Sequence, residues 1–259
     1  MEQLKVFQSS SGYFRLFFPE YETPVFGQKV CELRSASIHP NEVQECEHLS
    51  DLYEYLSANK YLFCTYRGVE DIHIVRILNS LGFEFVSTYK NVQCNAHDFR
   101  EIPLNSDLDI SVGDHYDHDK ALMLEKGVMD YSTFQIDPLV DANLSSNRNV
   151  VRVKSYFSHP QHKMYVLRKG TELIGFLQFL VDGEARVADC VNGAIAREYQ
   201  RLFIGPRLYS EAFKSLFKMG IKTIRGGFSS QNKPVVKLFA ACNFRVVSEE
   251  IHLRLSVRS

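Results

Sequence analysis

Residues 185–210 place a short polar turn between a predicted strand and a predicted helix. Residues 185–195 are rich in small and β-branched side chains, which is typical of a buried strand. Apolar residues recur at helical spacing from Pro206 on, and proline suits the first turn of a helix because its missing N–H would have had no partner. The turn at residues 200–205 would then offer free backbone N–H groups at the positive end of a helix dipole, which can bind a phosphate. An ordinary strand-to-helix crossover explains the same pattern.

A second set of spaced residues follows the strand predicted at residues 221–228. Its residues read Asn232-x-x-Val235-x-x-Leu238-Phe239-x-x-x-Asn243-Phe244. The two segments together resemble the GNAT superfamily of N-acetyltransferases, whose acetyl-coenzyme A loop reads Gln/Arg-x-x-Gly-x-Gly/Ala and whose later segment reads Asn-x-x-Ala-x-x-Leu-Tyr-x-x-x-Gly-Phe. Gln200 and Gly205 occupy the outer positions of the loop pattern. The two patterns occur in the order and at the separation that the superfamily shows.

The chain departs from the superfamily pattern at two phenylalanines. Phe203 stands where the middle glycine of the loop is usual, and the loop could still work if residue 203 keeps a negative φ. Phe239 stands where a tyrosine usually protonates the departing thiolate. Tyr209, Cys242 or a water could replace that donor, and the sequence does not select among them.

The resemblance implies a site for acetyl-coenzyme A as cosubstrate, without a metal. Backbone N–H groups of the turn would bind the pyrophosphate, Arg201 and Arg207 would add positive charge, and Asn232 would hold the pantetheine arm. One N–H at the end of the strand would meet the thioester oxygen. The cofactor-binding residues expected on this basis are Gly193, Ala194, Ile195, Gln200, Arg201, Leu202, Phe203, Ile204, Gly205, Arg207 and Asn232.

Acetyl transfer to an amine also needs a proton acceptor, because the amine arrives protonated near neutral pH. Asp189 lies six residues before Ile195, at a position that resembles the catalytic glutamate of the histone-modifying branch. On a regularly alternating strand Asp189 would share a face with Gly193 and Ile195. A solvated or cap-bonding aspartate is the competing interpretation. For the acceptor, the resemblance points to Phe134 and Asp137, in the region that lines the acceptor site of the superfamily.

The chain contains an internal repeat. Residues 75–87 align without a gap with residues 236–248, and both segments predict a helix, a left-handed cap and an outgoing strand. Coincidence between two common units is the alternative. We therefore predict a mixed α/β fold of the GNAT type, with a central, mostly antiparallel sheet flanked by helices. A truncated GNAT-like N-terminal domain would cover residues 1–100 and the acetyltransferase domain residues 101–259.

Composition limits the function further. The net charge of −1 argues against a nucleic-acid binder, since such proteins neutralise phosphates. No window approaches the roughly 18 apolar residues of a membrane helix. The six cysteines show no pairing or metal spacing, which predicts reduced thiols in a cytoplasmic protein. Aspartates and histidines cluster at residues 114–119, where helix capping explains them better than a metal.

A closer resemblance covers most of the chain. Thr23-Pro24-Val25-Phe26-Gly27, the Gly82-Phe83 unit and residues 131–138 are similar to bacterial dTDP-fucosamine acetyltransferases and their relatives. That resemblance implies an amino sugar on a nucleotide as the acceptor amine, with no nucleic-acid or membrane partner and with room for a homodimer. Two alternatives stand beside it: a non-catalytic acyl-coenzyme A-binding or scaffold descendant, and an enzyme that acetylates a protein or peptide.

Overall fold

The computed structural model describes residues 2–9, 12–19, 23–38, 47–69, 71–102, 108–128, 132–202 and 204–257. The strands are β1 (Glu2–Ser9), β2 (Gly12–Phe18), β3 (Lys29–Ile38), β4 (Tyr61–Val69), β5 (Glu84–Asn95), β6 (Asp109–Val112), β7 (His162–Lys169), β8 (Glu172–Asp182), β9 (Val187–Ile195), β10 (Thr223–Ser229) and β11 (Arg245–Ser256). The helices are α1 (Thr23–Phe26), α2 (Glu47–Ala58), α3 (Ile72–Ser80), α4 (His118–Val128), α5 (Thr133–Ile136), α6 (Ala142–Phe157), α7 (Ile204–Lys218) and α8 (Lys233–Ala241). Across these ranges no helix is both long and apolar enough to span a membrane.

The chain divides into two compact units. The first comprises Met1–Tyr89 together with Glu249–Ser259, and the second comprises Lys90–Ser248. The boundary predicted at residue 100 differs from this division at both ends of the second unit. Residues 90–100 group with the second unit, and the last eleven residues of the chain group with the first, because strand pairing joins segments that are far apart in sequence.

The first unit is a mixed sheet covered by helices. β1, β2 and β3 pair antiparallel, β3 and β4 pair parallel, and residues 250–256 of β11 pair antiparallel with β4. Leu52 and Leu56 of α2 and Leu78 of α3 are buried in the same core as Tyr66 of β4. Their burial provides the apolar area that stabilises this unit.

The second unit repeats this arrangement with more strands. The order of its strands is β5-β10-β9-β8-β7-β6, with β9 and β10 parallel and β8 antiparallel to both β7 and β9. One core lies between the sheet and helices α7 and α8, and a smaller core packs against α4 and α6. Helices on both sides of a mixed, mostly antiparallel sheet confirm the predicted α/β class.

The two repeated segments adopt the same local structure. α3 is followed by Gly82 with φ of 88°, and α8 is followed by Asn243 with φ of 65°. In both segments the N–H of the next residue, Phe83 or Phe244, donates to the carbonyl five residues earlier, at 3.0 and 2.9 Å. This is the hydrogen bond that closes a helix when the residue after it is left-handed. The predicted helix–cap–strand unit is therefore present twice.

Two predicted boundaries move by a few residues. α7 begins at Ile204, two residues before the predicted start at Pro206. β9 begins at Val187 instead of residue 185, because residues 183–186 form a four-residue turn. A tight hairpin joins β7 and β8, with Lys169 paired to Glu172 and Gly170 at φ of 60°.

Candidate active site

The two parallel strands of the second unit separate part-way along their length. Residues 187–189 of β9 pair with residues 223–225 of β10. β9 continues to Ile195 and β10 to Ser229, and within these fully described strands no further β9–β10 pair forms. The facing backbone groups beyond Asp189 are therefore free of a strand partner. Such an edge offers a row of hydrogen-bonding groups to an extended ligand that contains amides.

A bulge in β9 changes which way its side chains point. Asn192 lies opposite Gln178 of β8, and Cys190 lies opposite Phe179, so Val191 is an extra residue in β9. A bulge of this kind interrupts the alternation of a strand and bends it. It lies two residues before Gly193, at the start of the separated part of β9.

The two sides of β8 and β9 pack against different helices. The side that carries Phe176 and Ala194 packs against α4 and α6, and we call it the α6 face. The side that carries Leu177 and Phe179 packs against α7 and α8, and we call it the α7 face. The α7 face is covered by aromatic and aliphatic residues, whereas the α6 face contains several buried polar side chains.

The expectation that Asp189 shares a face with Gly193 and Ile195 is wrong. Cross-strand pairing places Asp189 on the α6 face with Asn192, and Gly193 and Ile195 on the α7 face. The reason is the bulge, which shifts the alternation by one residue between Asp189 and Gly193. The prediction assumed that β9 is a regular strand, and the extra residue is recognised only from the pairing of β9 with β8.

Asp189 and Arg225 form the last residue pair between β9 and β10, and their side chains are hydrogen-bonded to each other. The two carboxylate oxygens of Asp189 accept hydrogen bonds from Nε and Nη2 of Arg225 at 2.6 and 2.7 Å, and the two side chains are 40 and 55% exposed. The bidentate pair favours a structural role for Asp189 at the point where the strands separate. Its assignment as a base stays a prediction.

Tyr209 reaches the separated part of β9 from the α7 face. A Cβ built on Gly193 would lie 2.9 Å from the Tyr209 hydroxyl oxygen, 2.3 Å from Leu177 Cδ2 and 3.2 Å from the carbonyl oxygen of Phe176. Position 193 therefore has room only for glycine, and the Tyr209 hydroxyl lies against the backbone there. The rest of Tyr209 is buried, with its ring edge-on to Phe213 at 5.7 Å.

Phe239 fills the position of the usual tyrosine with a packed ring. It lies 5.8 Å from the Tyr209 ring and 5.4 Å from Phe228, measured between centroids. A Cβ built on Gly226 of β10 would lie 3.0 Å from its Cζ. The Cζ end of the Phe239 ring therefore lies next to β10 and carries no hydroxyl. The hydroxyl of the neighbouring Tyr209 lies next to β9.

α7 begins at Ile204, within the segment 200–205 that the sequence predicts to bind a phosphate. Gln200 Nε2 donates to the carbonyl oxygen of Ile195 at 3.0 Å, which ties the turn to the end of β9. Around Gly205 the space is open, since a Cβ there would come no closer than 3.8 Å to another residue. Ile204 is buried and Arg207 is half-buried in this first turn. Phe203 lies outside the described residues, as do the side chains of Arg201 and Leu202.

Asn232 is the N-cap of α8. Its Oδ1 accepts from the N–H of Val235 at 3.3 Å. Asp71 occupies the same place before α3, where its Oδ1 accepts from the N–H groups of His73 and Ile74 at 2.8 and 3.3 Å. Capping uses only the side-chain oxygen of Asn232, so its Nδ2 can donate a hydrogen bond to a ligand. The carboxylate of Asp71 has no such donor.

The predicted acceptor residues make contacts within the second unit. The guanidinium of Arg148 lies 4.0 Å from the centre of the Phe134 ring. Asp137 is buried, and its Oδ1 accepts from the N–H of Leu139 at 3.0 Å. These contacts are structural, and the role of the two residues in acceptor binding stays a prediction.

Sequence reasoning missed a buried polar cluster on the α6 face. Asn192 of β9 donates through Nδ2 to Glu125 Oε2 of α4 at 3.0 Å and accepts from Arg152 Nη2 of α6 at 2.8 Å. Glu125 is fully buried, and burial raises the pKa of its carboxyl to about 7, against the opposing effects of Arg152 and Asn192. The sequence did offer one signal for the burial of Glu125. It lies four residues after the apolar Ala121, so a helix would place both side chains on the same face.

The acidic and histidine residues at 114–119 have structural roles. Asp114 caps the short helix His115–Asp117, and Asp117 is buried in a bidentate pair with Arg168 Nη2 at 2.7 and 2.6 Å. The predicted capping role is confirmed. In the described part of the chain no three potential ligands come together in a metal-binding arrangement.

Comparison with known proteins agrees with this geometry. Residues 132–244 match the Acetyltransferase (GNAT) family. A GCN5-related N-acetyltransferase from Sphaerobacter thermophilus is 11% identical, with a TM-score of 0.66 over 96% of this chain and 78% of that chain. A functionally unknown conserved protein from Staphylococcus epidermidis is 10% identical, with a TM-score of 0.66 over 98% of this chain and 94% of that chain.

A third solved structure is similar along the whole length. It is a tandem GNAT protein from the clavulanic acid biosynthesis pathway, 10% identical, with a TM-score of 0.63 over 97% of this chain and 82% of that chain. These likenesses show the GNAT fold, as the sequence predicted. A search of curated proteins found no match.

Proposed function

We propose that this protein is an acetyl-coenzyme A-dependent N-acetyltransferase that acts on a primary amine. The observation that carries the proposal is the open stretch between β9 and β10, which ends beside the N-terminus of α7. Acetyl-coenzyme A supplies an activated acetyl group as a thioester. The residues present fit it, because a glycine-bounded edge can receive an extended pantetheine arm and a helix N-terminus can receive its pyrophosphate.

Several residues would hold the cosubstrate. The backbone of Gly193, Ala194 and Ile195 would pair with the amides of the pantetheine arm. The turn 200–205 and Arg207 would bind the pyrophosphate, and Gln200 would keep that turn next to Ile195. Asn232 would donate from Nδ2 while its Oδ1 caps α8.

Tyr209 would protonate the thiolate that leaves. A free thiol has a pKa of about 8.5, so the leaving sulfur benefits from a nearby donor at neutral pH. The Tyr209 hydroxyl is that donor because it lies against Gly193, within the separated part of β9. This replaces the donor that Phe239 lacks.

The first acceptor to test is an amino sugar on a nucleotide. The support is the resemblance of the N-terminal segments to dTDP-fucosamine acetyltransferases. The whole-length likeness to a tandem GNAT protein agrees with a second, GNAT-like unit at the N-terminus. The described cysteines are all unpaired, which supports a location in the reducing cytoplasm.

One observation favours a non-catalytic descendant that only binds an acyl-coenzyme A. Phe239 removes the usual acid, and its ring is packed among other aromatic rings. The rival predicts binding without release of thiol. It is separated from the enzyme by adding amines to the bound protein and following thiol release.

Calorimetric titration with acetyl-coenzyme A tests the proposal. We expect micromolar affinity, equivalent to about 8 kcal/mol. Gly205→Asp should weaken binding more than about 100-fold, because it brings a negative charge to the pyrophosphate site. Gly205→Ala is the matched control and should bind normally, since a Cβ fits there. Failure of the unaltered protein to bind would overturn the proposed function.

A further inference from the structure

The α6 face of the second unit contains buried polar atoms that lack protein partners. Among the described residues these include Glu125 Oε1, Arg152 Nε, Gln178 Oε1 and Asn149 Oδ1. Leaving such atoms unpaired is costly in a protein interior, so their concentration next to one stretch of sheet indicates a site for polar molecules. The α7 face of the same strands carries no buried carboxylate among its described core residues.

The cluster contacts β9 at the residue before Gly193. Asn192 connects Glu125 on one helix with Arg152 on another, at 3.0 and 2.8 Å. Asn192 belongs to the stretch of β9 that has left β10, and its backbone continues directly into Gly193. Glu125 of α4 therefore contacts β9 at the residue next to Gly193, on the side opposite to Tyr209.

We propose that Glu125 takes the proton from the acceptor amine, through one water molecule on the α6 face; this inference rests on the proposed function. An N–H bond of the ammonium breaks as an O–H bond forms to the water, and the water passes one of its own protons to Glu125 Oε1. The water is unchanged and Glu125 becomes a neutral carboxylic acid. The amine keeps its electron pair and attacks the acetyl carbon, and the C–S bond then breaks as Tyr209 on the other face protonates the sulfur. The nitrogen loses its second N–H proton to solvent as the amide forms, and the Tyr209 phenolate takes a proton back from solvent.

The surroundings of Glu125 suit this task better than those of Asp189. Burial raises the pKa of Glu125 to about 7, and Arg152 from α6 and Asn192 from β9 are the groups that oppose this rise. A proton acceptor works best when its pKa is near the working pH. The oxygens of Asp189 are both occupied by Arg225, whereas Oε1 of Glu125 has no protein partner.

The test compares the pH dependence of the unaltered protein with that of Glu125→Gln. Glutamine keeps the shape of the side chain and can still accept from Asn192, but it cannot take a proton. Acetyl-coenzyme A and a panel of amines (an amino sugar, an amino acid, a short peptide and a diamine) are supplied, and released thiol is measured from pH 5.5 to 9 (roughly the range in which such a base titrates). Glu184→Gln, in the exposed turn before β9, is the matched control.

We expect Glu125→Gln to lower kcat/KM by about 100-fold or more at pH 8, to flatten the inflection near neutral pH, and to leave acetyl-coenzyme A affinity unchanged. Retention of the normal rate and pH profile would overturn the inference and leave the proposed function standing. Loss of acetyl-coenzyme A affinity in the variant would also overturn it, since the role would then be structural. If the unaltered protein binds acetyl-coenzyme A but releases no thiol with any amine, acetyl transfer itself is overturned, and the role of Glu125 with it.

Discussion

The two units contain the same pair of parallel strands joined by a crossover helix, and they differ in how far the strands stay paired. In the first unit, β3 and β4 pair from Lys29 and Tyr61 to Leu33 and Tyr66. That ladder holds five residue pairs, whereas the β9–β10 ladder of the second unit holds three and stops at Asp189. In both units the strands continue beyond the last pair.

The difference shows how one topology can serve packing or ligand binding. In the first unit the last paired residues, Leu33 and Tyr66, are fully buried, so strand pairing and core packing occupy that stretch. In the second unit a bulge at Val191 and the glycines Gly193 and Gly226 accompany the separation. Backbone groups that are not used within the sheet are then available to a cosubstrate.

The units also differ in where they bury carboxylates. The buried carboxylates of the described chain, Asp117, Glu125 and Asp137, all lie in the second unit. Asp117 pairs with Arg168, and Asp137 accepts from a backbone N–H, so each has a compensating partner. Glu125 is held by a neutral amide and keeps one oxygen without a protein partner, which is a costly arrangement for stability.

The largest expected effect is on stability at Glu125. Its pKa is about 7 in the folded protein against 4.5 without burial, so the folded state holds this proton to a higher pH than the unfolded state. This contribution to stability is therefore present at low pH and is lost as the pH rises through about 7. Glu125→Gln removes this titration. The free energy of unfolding of the variant, relative to that of the unaltered protein, should therefore rise by about 3 kcal/mol when the pH is raised from 4.5 to 8. Urea unfolding at both pH values measures the difference, and an equal effect at both would contradict it.

The next largest effect concerns the Tyr209 hydroxyl, which lies against Gly193. Tyr209→Phe should lower turnover by about 100-fold with little change in acetyl-coenzyme A affinity, because only a proton donor is lost. Tyr66→Phe is the corresponding change in the first unit, and there we expect turnover to stay normal. Steady-state thiol release with the best amine checks both. Similar losses of turnover in the two variants would contradict the functional distinction between the β3–β4 pair and the β9–β10 pair.

The smallest effect compares the two N-caps. Asp71→Ala and Asn232→Ala should each reduce the free energy of unfolding by about 1 kcal/mol, since each removes a capping acceptor. Only Asn232→Ala should also weaken acetyl-coenzyme A binding, by about tenfold for one lost hydrogen bond. Thermal unfolding and calorimetry measure the two quantities. Weaker binding in Asp71→Ala as well would place the cosubstrate differently from our proposal.

Much of the local structure could be read from the sequence. The repeat at residues 75–87 and 236–248 predicts two helices with left-handed caps, because a cap depends on residues within one helical turn. The start of α7 was also placed to within two residues. The Gln200 and Asn232 patterns predicted a resemblance to the GNAT superfamily, whose family model matches residues 132–244.

Other features of the site could not be read in this way. Tyr209 was one of three interchangeable donors until the contact with Gly193 distinguished it from Cys242, which is buried beside Cys94. Glu125 looked like an ordinary helix residue because its burial depends on α6 and β9, which are distant in sequence. Asp189 was assigned to the wrong face because a bulge follows from the pairing of two strands.

The sequence by itself determined the resemblance to the GNAT superfamily pattern, the repeated helix–cap–strand unit and the left-handed caps at Gly82 and Asn243. These depend on backbone conformations and hydrogen bonds between residues close along the chain. Only the tertiary structure decided where β9 leaves β10, which face of β9 each side chain occupies, and which carboxylate is buried. Those outcomes depend on strand register and helix packing between residues far apart in sequence, and a one-residue bulge is enough to reverse them.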